Sequence, residues 1–262
     1  DKGPREQPRQ IAAVAFSPDD KQAVSAGVSG VIFLWDVETG KELRRFRGHV
    51  GDINALDFAP DGRHLLSGGR DKTIRLWEVK SGREVRKFEG AAKWVRSVRF
   101  SHDSRRFLSG GEDGMLRLWD VDSGKHVRQF QATEGWSHCV AWMPGDRQAV
   151  CAAGPIIQLW DIESGKIART FQGHNFGVTG VDVSPDGRTI LSCGYDGSVR
   201  WWDAATGQQR KLFRHQNGFV RAVKFSPDGR QAIAGGGGRN EGNGKYVSGG
   251  NDFPIHVWSL TD

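Results

Sequence analysis

Cysteine is scarce in this chain, with three in 262 residues. Cys139, Cys151 and Cys193 are odd in number and show no Cys-x-x-Cys spacing. That argues against a disulfide framework or a thiolate metal cluster, and the three read as small buried residues inside strands. No His-Glu-x-x-His run and no paired Cys/His signature occurs, so neither a metal nor a cofactor is expected. There is no Asn-x-Ser/Thr acceptor site and no Gly-x-Gly-x-x-Gly fingerprint. No apolar run approaches the roughly 20 residues a membrane-crossing helix needs, so no membrane partner is expected. Unpaired cysteines without a secretory mark make the cytoplasm the expected compartment. The first residue is Asp1 rather than methionine, which is also compatible with export after removal of a signal peptide.

What the chain has in abundance is self-similarity. Trp35, Trp77, Trp119, Trp160, Trp202 and Trp258 follow one another at spacings of 42, 42, 41, 42 and 56 residues. A second series keeps the same beat: Ser17-Pro18-Asp19-Asp20, Ala59-Pro60-Asp61-Gly62, Ser101-His102-Asp103-Ser104, Met143-Pro144-Gly145-Asp146, Ser184-Pro185-Asp186-Gly187 and Ser226-Pro227-Asp228-Gly229. A period of roughly 40 to 45 residues signals either a four-stranded propeller blade or a paired-helix solenoid unit. Local pattern favours strands. In the unit from 47 to 88, residues 53–58, 64–67, 73–79 and 84–88 are short β-branched, aromatic or alternating runs. Pro60-Asp61-Gly62, residues 68–71 and Lys80-Ser81-Gly82 separate them as turns.

Gly48-His49, Ser67, Asp71 and Leu76-Trp77-Glu78, echoed by Gly173-His174, Ser192, Asp196 and Trp201-Trp202-Asp203, resemble the WD-repeat β-propeller family, in the style of its bacterial members. The resemblance covers about residues 11–260. It implies an all-β protein, a β-propeller of four-stranded antiparallel blades around a central channel, with the first strand innermost and the fourth at the rim. Six repeats are visible, at about 1–46, 47–88, 89–130, 131–171, 172–213 and 214–262, against a family norm of seven. Stacked blades share one core, so 1–262 is expected to be a single domain. An N-terminal strand usually completes the last blade of such a propeller, and here only residues 1 to about 7, with two prolines, stand in that place. Blade 3 has Ala91 in place of the histidine. Blade 4 has Ala132-Thr133 there and Gly154-Pro155 at the turn aspartate, so these blades are expected to be the least regular.

Three features invite functional readings. His49, Ser67 and Asp71, and likewise His174, Ser192 and Asp196, have the composition of a hydrolase triad. Each set recurs beside a strand tryptophan, Trp77 or Trp202, and the resemblance implies a buried hydrogen-bond chain. The glycine-rich insertion at 235–246 fails the phosphate-loop spacing, because Arg239 stands five before Gly244 and Tyr246 follows Lys245. It reads as a mobile loop. The net charge of +6 suggests an acidic partner such as nucleic acid. The five predicted outer strands, however, hold 12 Lys or Arg against Glu42 and Glu84, and edge strands carry such charge to block pairing.

By register, the family's channel-mouth positions fall at Asp52 and Asn54, Trp94 and Arg96, Trp136 and His138, Gly177 and Thr179, and Phe219 and Arg221. Arg70, Glu112, Tyr195 and Asn251 are the matching turn positions. Trp, Tyr and Arg in that set have the character of binding hot spots. The resulting expectation is a non-catalytic scaffold, regulatory or for assembly, that binds a protein or peptide, with acidic side chains, on that face. A nucleic-acid-binding propeller using the basic surface is the alternative. A propeller enzyme stands last, since only Asp52, Glu112 and His138 offer titratable groups there. Oligomeric state is not legible.

Overall fold

The computed structural model describes residues 10–132, 135–137, 139–214, 218–237, 239–240, 246–247 and 255–259. Blade 1 comprises β1 (Ile11–Phe16), β2 (Gln22–Gly27), β3 (Val31–Asp36) and β4 (Glu42–Arg47). Blade 2 follows as β5 (Ile53–Phe58), β6 (His64–Gly69), β7 (Ile74–Glu78) and β8 (Glu84–Phe88), and blade 3 as β9 (Val95–Phe100), β10 (Arg106–Gly111), β11 (Met115–Asp120) and β12 (His126–Gln131). Blade 4 is β13 (Val140–Trp142), β14 (Gln148–Ala153), β15 (Ile156–Asp161) and β16 (Lys166–Phe171), and blade 5 is β17 (Val178–Val183), β18 (Thr189–Gly194), β19 (Ser198–Asp203) and β20 (Gln209–Arg214). Blade 6 has β21 (Val220–Phe225) and β22 (Gln231–Gly236). A two-strand ladder of β23 (Arg239–Asn240) and β24 (Tyr246–Val247) follows, and then β25 (Ile255–Ser259). Each blade is an antiparallel meander, four-stranded in blades 1 to 5 and three-stranded, β21-β22-β25, in blade 6. The fold class is an all-β propeller. Two compact units divide after Phe130.

The turns explain the recurring Ser-Pro-Asp-Gly. Ser184 Oγ donates to Asp186 Oδ1 at 2.6 Å and accepts the Thr189 amide at 3.0 Å, closing the β17–β18 hairpin. The fourth residue takes positive φ in every such hairpin (Asp20, Gly62, Ser104, Asp146, Gly187 and Gly229). Glycine adopts that conformation without a Cβ clash, and short polar residues tolerate it best among the rest. The acid after the repeat tryptophan of blades 1 to 5 is likewise a turn device. Asp36 Oδ1 accepts both the Thr39 amide, at 2.8 Å, and its hydroxyl, at 2.6 Å. Those hydrogen bonds hold the Asp36 carboxyl below its ordinary range.

The hydrophobic core lies between blades. In the first unit Val24, Ile32 and Leu34 of blade 1 pack on Ile53, Leu56, Phe58 and Trp77 of blade 2. Leu66, Ile74 and Leu76 of blade 2 pack on Val95, Val98 and Phe100 of blade 3. The second unit repeats the scheme, with Val150, Ile157 and Leu159 on Val178 and Val181, and Leu191 and Val199 on Val220 and Val223. Each outer strand sends one phenylalanine inward. Phe46 is 1% exposed and meets Trp77 edge-on at 5.8 Å, and Phe171 meets Trp202 in the same way at 5.9 Å. Burying such a ring is worth about 1.5 to 3 kcal/mol, and the edge-on pairing adds roughly 0.5 to 1.5 kcal/mol.

Four details differ from the sequence reading. The second strand of blade 2 continues through Gly68 to Gly69, where the backbone still pairs with β5. Cys139 lies just outside β13 rather than in a strand, although it is buried. Blade 4 has an innermost strand of only three residues. The glycine-rich insertion is not wholly a loop, because β22 extends to Gly236 and residues 239–240 pair with 246–247. The proposed N-terminal strand falls outside the described residues.

Candidate functional site

His49 precedes β5 and Asp71 lies in the turn after β6, so the repeat brings them together across one end of blade 2. His49 Nδ1 lies 2.9 Å from Asp71 Oδ2 and Nε2 lies 2.7 Å from Ser67 Oγ. Ser67 Oγ also accepts the Trp77 indole N–H at 2.8 Å. Blade 5 superimposes the same chemistry: His174 to Asp196 at 2.9 Å, His174 to Ser192 at 2.7 Å and Trp202 to Ser192 at 2.8 Å. Burial alone would raise the Asp71 and Asp196 pKa values. Hydrogen bonds from His49 and Thr73, and from His174 and Ser198, outweigh it and hold both carboxyls well below the usual range. Ser67 and Ser192 are fully buried. With its hydroxyl shared between imidazole and indole and no path to solvent, each serine is a link in a scaffold and has no room for a substrate carbonyl.

The other blades show how the link is replaced. Blade 3 has Ala91 at the network histidine's position, and Arg117 of β11 reaches Asp113 at 2.8 Å while Trp119 still donates to Ser109 at 2.9 Å. The equivalent arginines where histidine is present stand off: Arg75 is 3.7 Å from Asp71 and Arg200 is 3.5 Å from Asp196. In blade 4 Cys151 occupies the serine position, and the Trp160 indole donates to Gln158 Oε1 at 3.1 Å.

Basic residues at the rim have partners of their own. Arg44 Nη1 donates to the Ser81 carbonyl at 3.0 Å, and Arg86 donates to the Asp122 and Ser123 carbonyls at 2.9 and 3.1 Å. These arginines clasp the outer strand of one blade to the turn of the next. Aspartates on inner strands do likewise, Asp57 accepting the Phe100 amide at 2.7 Å and Asp182 the Phe225 amide at 2.8 Å. Sequence reading missed both devices, and the signal for the first was a basic residue two before each outer-strand phenylalanine.

The loop-bearing end of the first unit carries Arg70, Trp94, Arg96 and Glu112. Arg70 Nη1 donates to Asp52 Oδ2 at 2.8 Å, and Arg96 is ion-paired with Glu112. Both guanidinium groups lie over the half-buried Trp94 ring, at 3.7 and 5.0 Å from its centroid. The charge of Arg70 and Arg96 is thus met by carboxylates and an indole face.

In the second unit the corresponding positions open a cavity of about 580 Å³ lined by Gly135, Trp136, Gly154, Gly177, Tyr195, Phe219 and Arg221. Tyr195 and Phe219 meet edge-on at 5.6 Å, and the Arg221 guanidinium stands 4.9 Å from the Phe219 centroid. Phe219 is 3% exposed whereas Trp136 is 49% exposed, so the one is floor and the other is wall. Gly177 and Gly154 create the space. A Cβ at Gly177 would come into van der Waals contact with the Tyr195 ring at 3.4 Å, and Gly154, at φ +63°, faces open space. Among the described residues no carboxylate lines the cavity and Arg221 has no acidic partner. Gly135 and Gly154 were not among the sequence candidates. Two candidates, His138 and Asn251, lie outside the described residues.

Comparison with known families agrees with this architecture. The model for "WD domain, G-beta repeat" (WD40) matches residues 5–36, 40–78, 82–120, 165–203 and 207–240. The unmatched interval between 121 and 164 holds β13, β14 and β15 of blade 4, the blade that lacks the network histidine, the turn aspartate and the serine. Five matched repeats cover well over half of the sequence, and the chain belongs to the WD40 family, whose propellers generally serve as protein-interaction scaffolds.

Proposed function

We propose that this protein is a non-catalytic interaction module, regulatory or for assembly, that holds a segment of a partner protein at the Trp136–Tyr195–Phe219–Arg221 cavity. The segment it suits has an apolar or aromatic side chain beside a carboxylate. The apolar group would occupy the space over Phe219 and Tyr195, and the carboxylate would meet Arg221. The observation that carries this reading is a contrast within the repeats: Arg70 and Arg96 are neutralised by Asp52 and Glu112, whereas among the described residues no acid stands at the aromatic hollow that Arg221 borders. Recruiting Asp52 or Glu112 for general acid or base chemistry would first break those ion pairs, which counts against an enzyme. Nucleic-acid binding is not favoured, because the rim charge is divided between blade clasps and ion pairs such as Arg45–Glu42.

Fluorescence anisotropy with short labelled peptides carrying a Phe-Asp or Leu-Glu pair tests the proposal. A charge-assisted hydrogen bond is worth about 1.5 to 3 kcal/mol, so Arg221→Gln should weaken binding by roughly tenfold or more. Arg70→Gln should leave it unchanged. Equal loss in both variants, or none in Arg221→Gln, refutes the site.

A further inference from the structure

At the blade 2–blade 3 junction, Arg70 from the turn after the second strand lies on Trp94, which precedes the next innermost strand. The guanidinium stands 3.7 Å from the ring centroid. At the blade 5–blade 6 junction the same two positions hold Tyr195 and Phe219, whose rings meet edge-on at 5.6 Å. Both pairs join a flat side chain to a ring, because a ring accepts a cation on its face or the edge of a second ring.

At the blade 4–blade 5 junction those two positions are Gly154 and Gly177, so neither member of the pair has a side chain. The glycines are neighbours across the junction: the Val178 amide donates to the Gly154 carbonyl at 2.8 Å, and the Tyr195 amide donates to the Gly177 carbonyl at 3.0 Å. The turn of blade 4 is one residue shorter than that of blade 2, with Ala153 paired to Ile156, and it holds Gly154 at φ +63°. Gly177 is different. Its φ is not left-handed, and a Cβ there would only touch the Tyr195 ring at 3.4 Å. Backbone conformation therefore does not demand glycine at 177, and what its absent side chain leaves is space. The 580 Å³ cavity opens at this place, lined by the rings of Trp136, Tyr195 and Phe219 and by Arg221.

We propose that the partner segment supplies the missing member of this pair: an aromatic side chain, phenylalanine or tyrosine, enters the gap over Gly154 and Gly177 against the Tyr195 ring. Gly177 is then the residue that sets the preference. This inference rests on the proposed binding of a carboxylate-bearing segment at the cavity and narrows its anchor from any apolar group to a ring. A guanidinium, which fills the equivalent place as Arg70, is disfavoured here by the like charge of Arg221. A leucine fills less of the gap and has no aromatic edge to offer Tyr195.

Fluorescence anisotropy of the whole chain with three labelled peptides, carrying Phe-Asp, Leu-Asp or Ala-Asp, tests the anchor. Phe-Asp should bind roughly two- to tenfold tighter than Leu-Asp, the worth of an aromatic pair beyond its buried area. Gly177→Phe puts a ring where blade 6 has Phe219. It should bind Phe-Asp no better than the wild type binds Ala-Asp, because the gap is filled while Arg221 remains. An unchanged near-UV tryptophan signal verifies that the variant is folded, and the peptide series on the wild type decides the matter without it. Leu-Asp binding as tightly as Phe-Asp, or a folded Gly177→Phe that keeps the wild-type preference, overturns the aromatic anchor, while Arg221→Gln reports separately on the carboxylate. Failure of all three peptides to bind overturns the underlying proposal and the anchor with it.

Discussion

Replacing His49 by alanine probes how far the repeats can repair themselves. The imidazole is fully buried and holds together a carboxylate, a hydroxyl and an indole. Its loss removes a hydrogen bond to a charged group, about 1.5 to 3 kcal/mol, and the bond to Ser67, about 0.5 to 1.5 kcal/mol. Blade 3 shows the remedy, since Arg117 reaches Asp113 directly where histidine is absent. Arg75, 3.7 Å from Asp71 and bound to Glu84 at 2.5 Å, is placed to make the same shift. His49→Ala should therefore cost about 2 kcal/mol, a value within the hydrogen-bond range and below the roughly 3 to 5 kcal/mol of an orphaned buried charge. Arg75→Ala alone should cost no more than about 1 kcal/mol, in keeping with a partly exposed ion pair. The double variant leaves Asp71 only its hydrogen bonds from Thr73 and Val50, and should cost more than the sum of the two single changes. Urea unfolding of the four proteins, followed through tryptophan fluorescence, measures the coupling. Strict additivity would refute the idea that arginine substitutes for histidine, and an unchanged midpoint in His49→Ala would remove the network from the stability argument.

Further outcomes follow from the same geometry. The Asp196 carboxyl is held below its ordinary value of 3.8 in the folded chain, so its stabilising contribution is complete above that pH and drains away as the pH falls toward the folded value. Asp196→Asn should be less stable than wild type at neutral pH and should show a shallower loss of stability on acidification below about pH 4. Parallel acid profiles for the two proteins would contradict this. Burial pushes the Cys151 and Cys193 thiols up to about 12, and thiolate is the reactive form. Neither should be alkylated by iodoacetamide in the native protein at neutral pH, and both should react in urea. Mass spectrometry that finds native Cys193 modified would show that β18 opens.

The tryptophan beat and the Ser-Pro-Asp-Gly turns sufficed to read six repeats built of strands, and the resemblance carried by the Gly-His, Ser and Asp positions implied the strand order and a buried hydrogen-bond chain. Those features are legible because they are local: a turn needs a residue of positive φ at one place, and a strand pairs with the strand beside it. Trp136, Tyr195, Phe219 and Arg221 were assigned to a common end of their blades by carrying the family's channel-mouth positions over by register, as the resemblance implies. What register does not carry is the state of each charge. Arg70, Arg96 and Arg221 look equivalent in sequence, and only the positions of Asp52, Glu112 and the Trp94 ring separate the first two from the third.

Sequence by itself determined the blade, because hydrogen-bonded hairpins are written in neighbouring residues. Tertiary structure alone decided which arginine lacks a carboxylate among the described residues, and that Gly154 and Gly177 line a hollow. Coulombic pairing and burial depend on what lies across a gap between blades, and residues about 40 positions apart meet there only after the chain has folded.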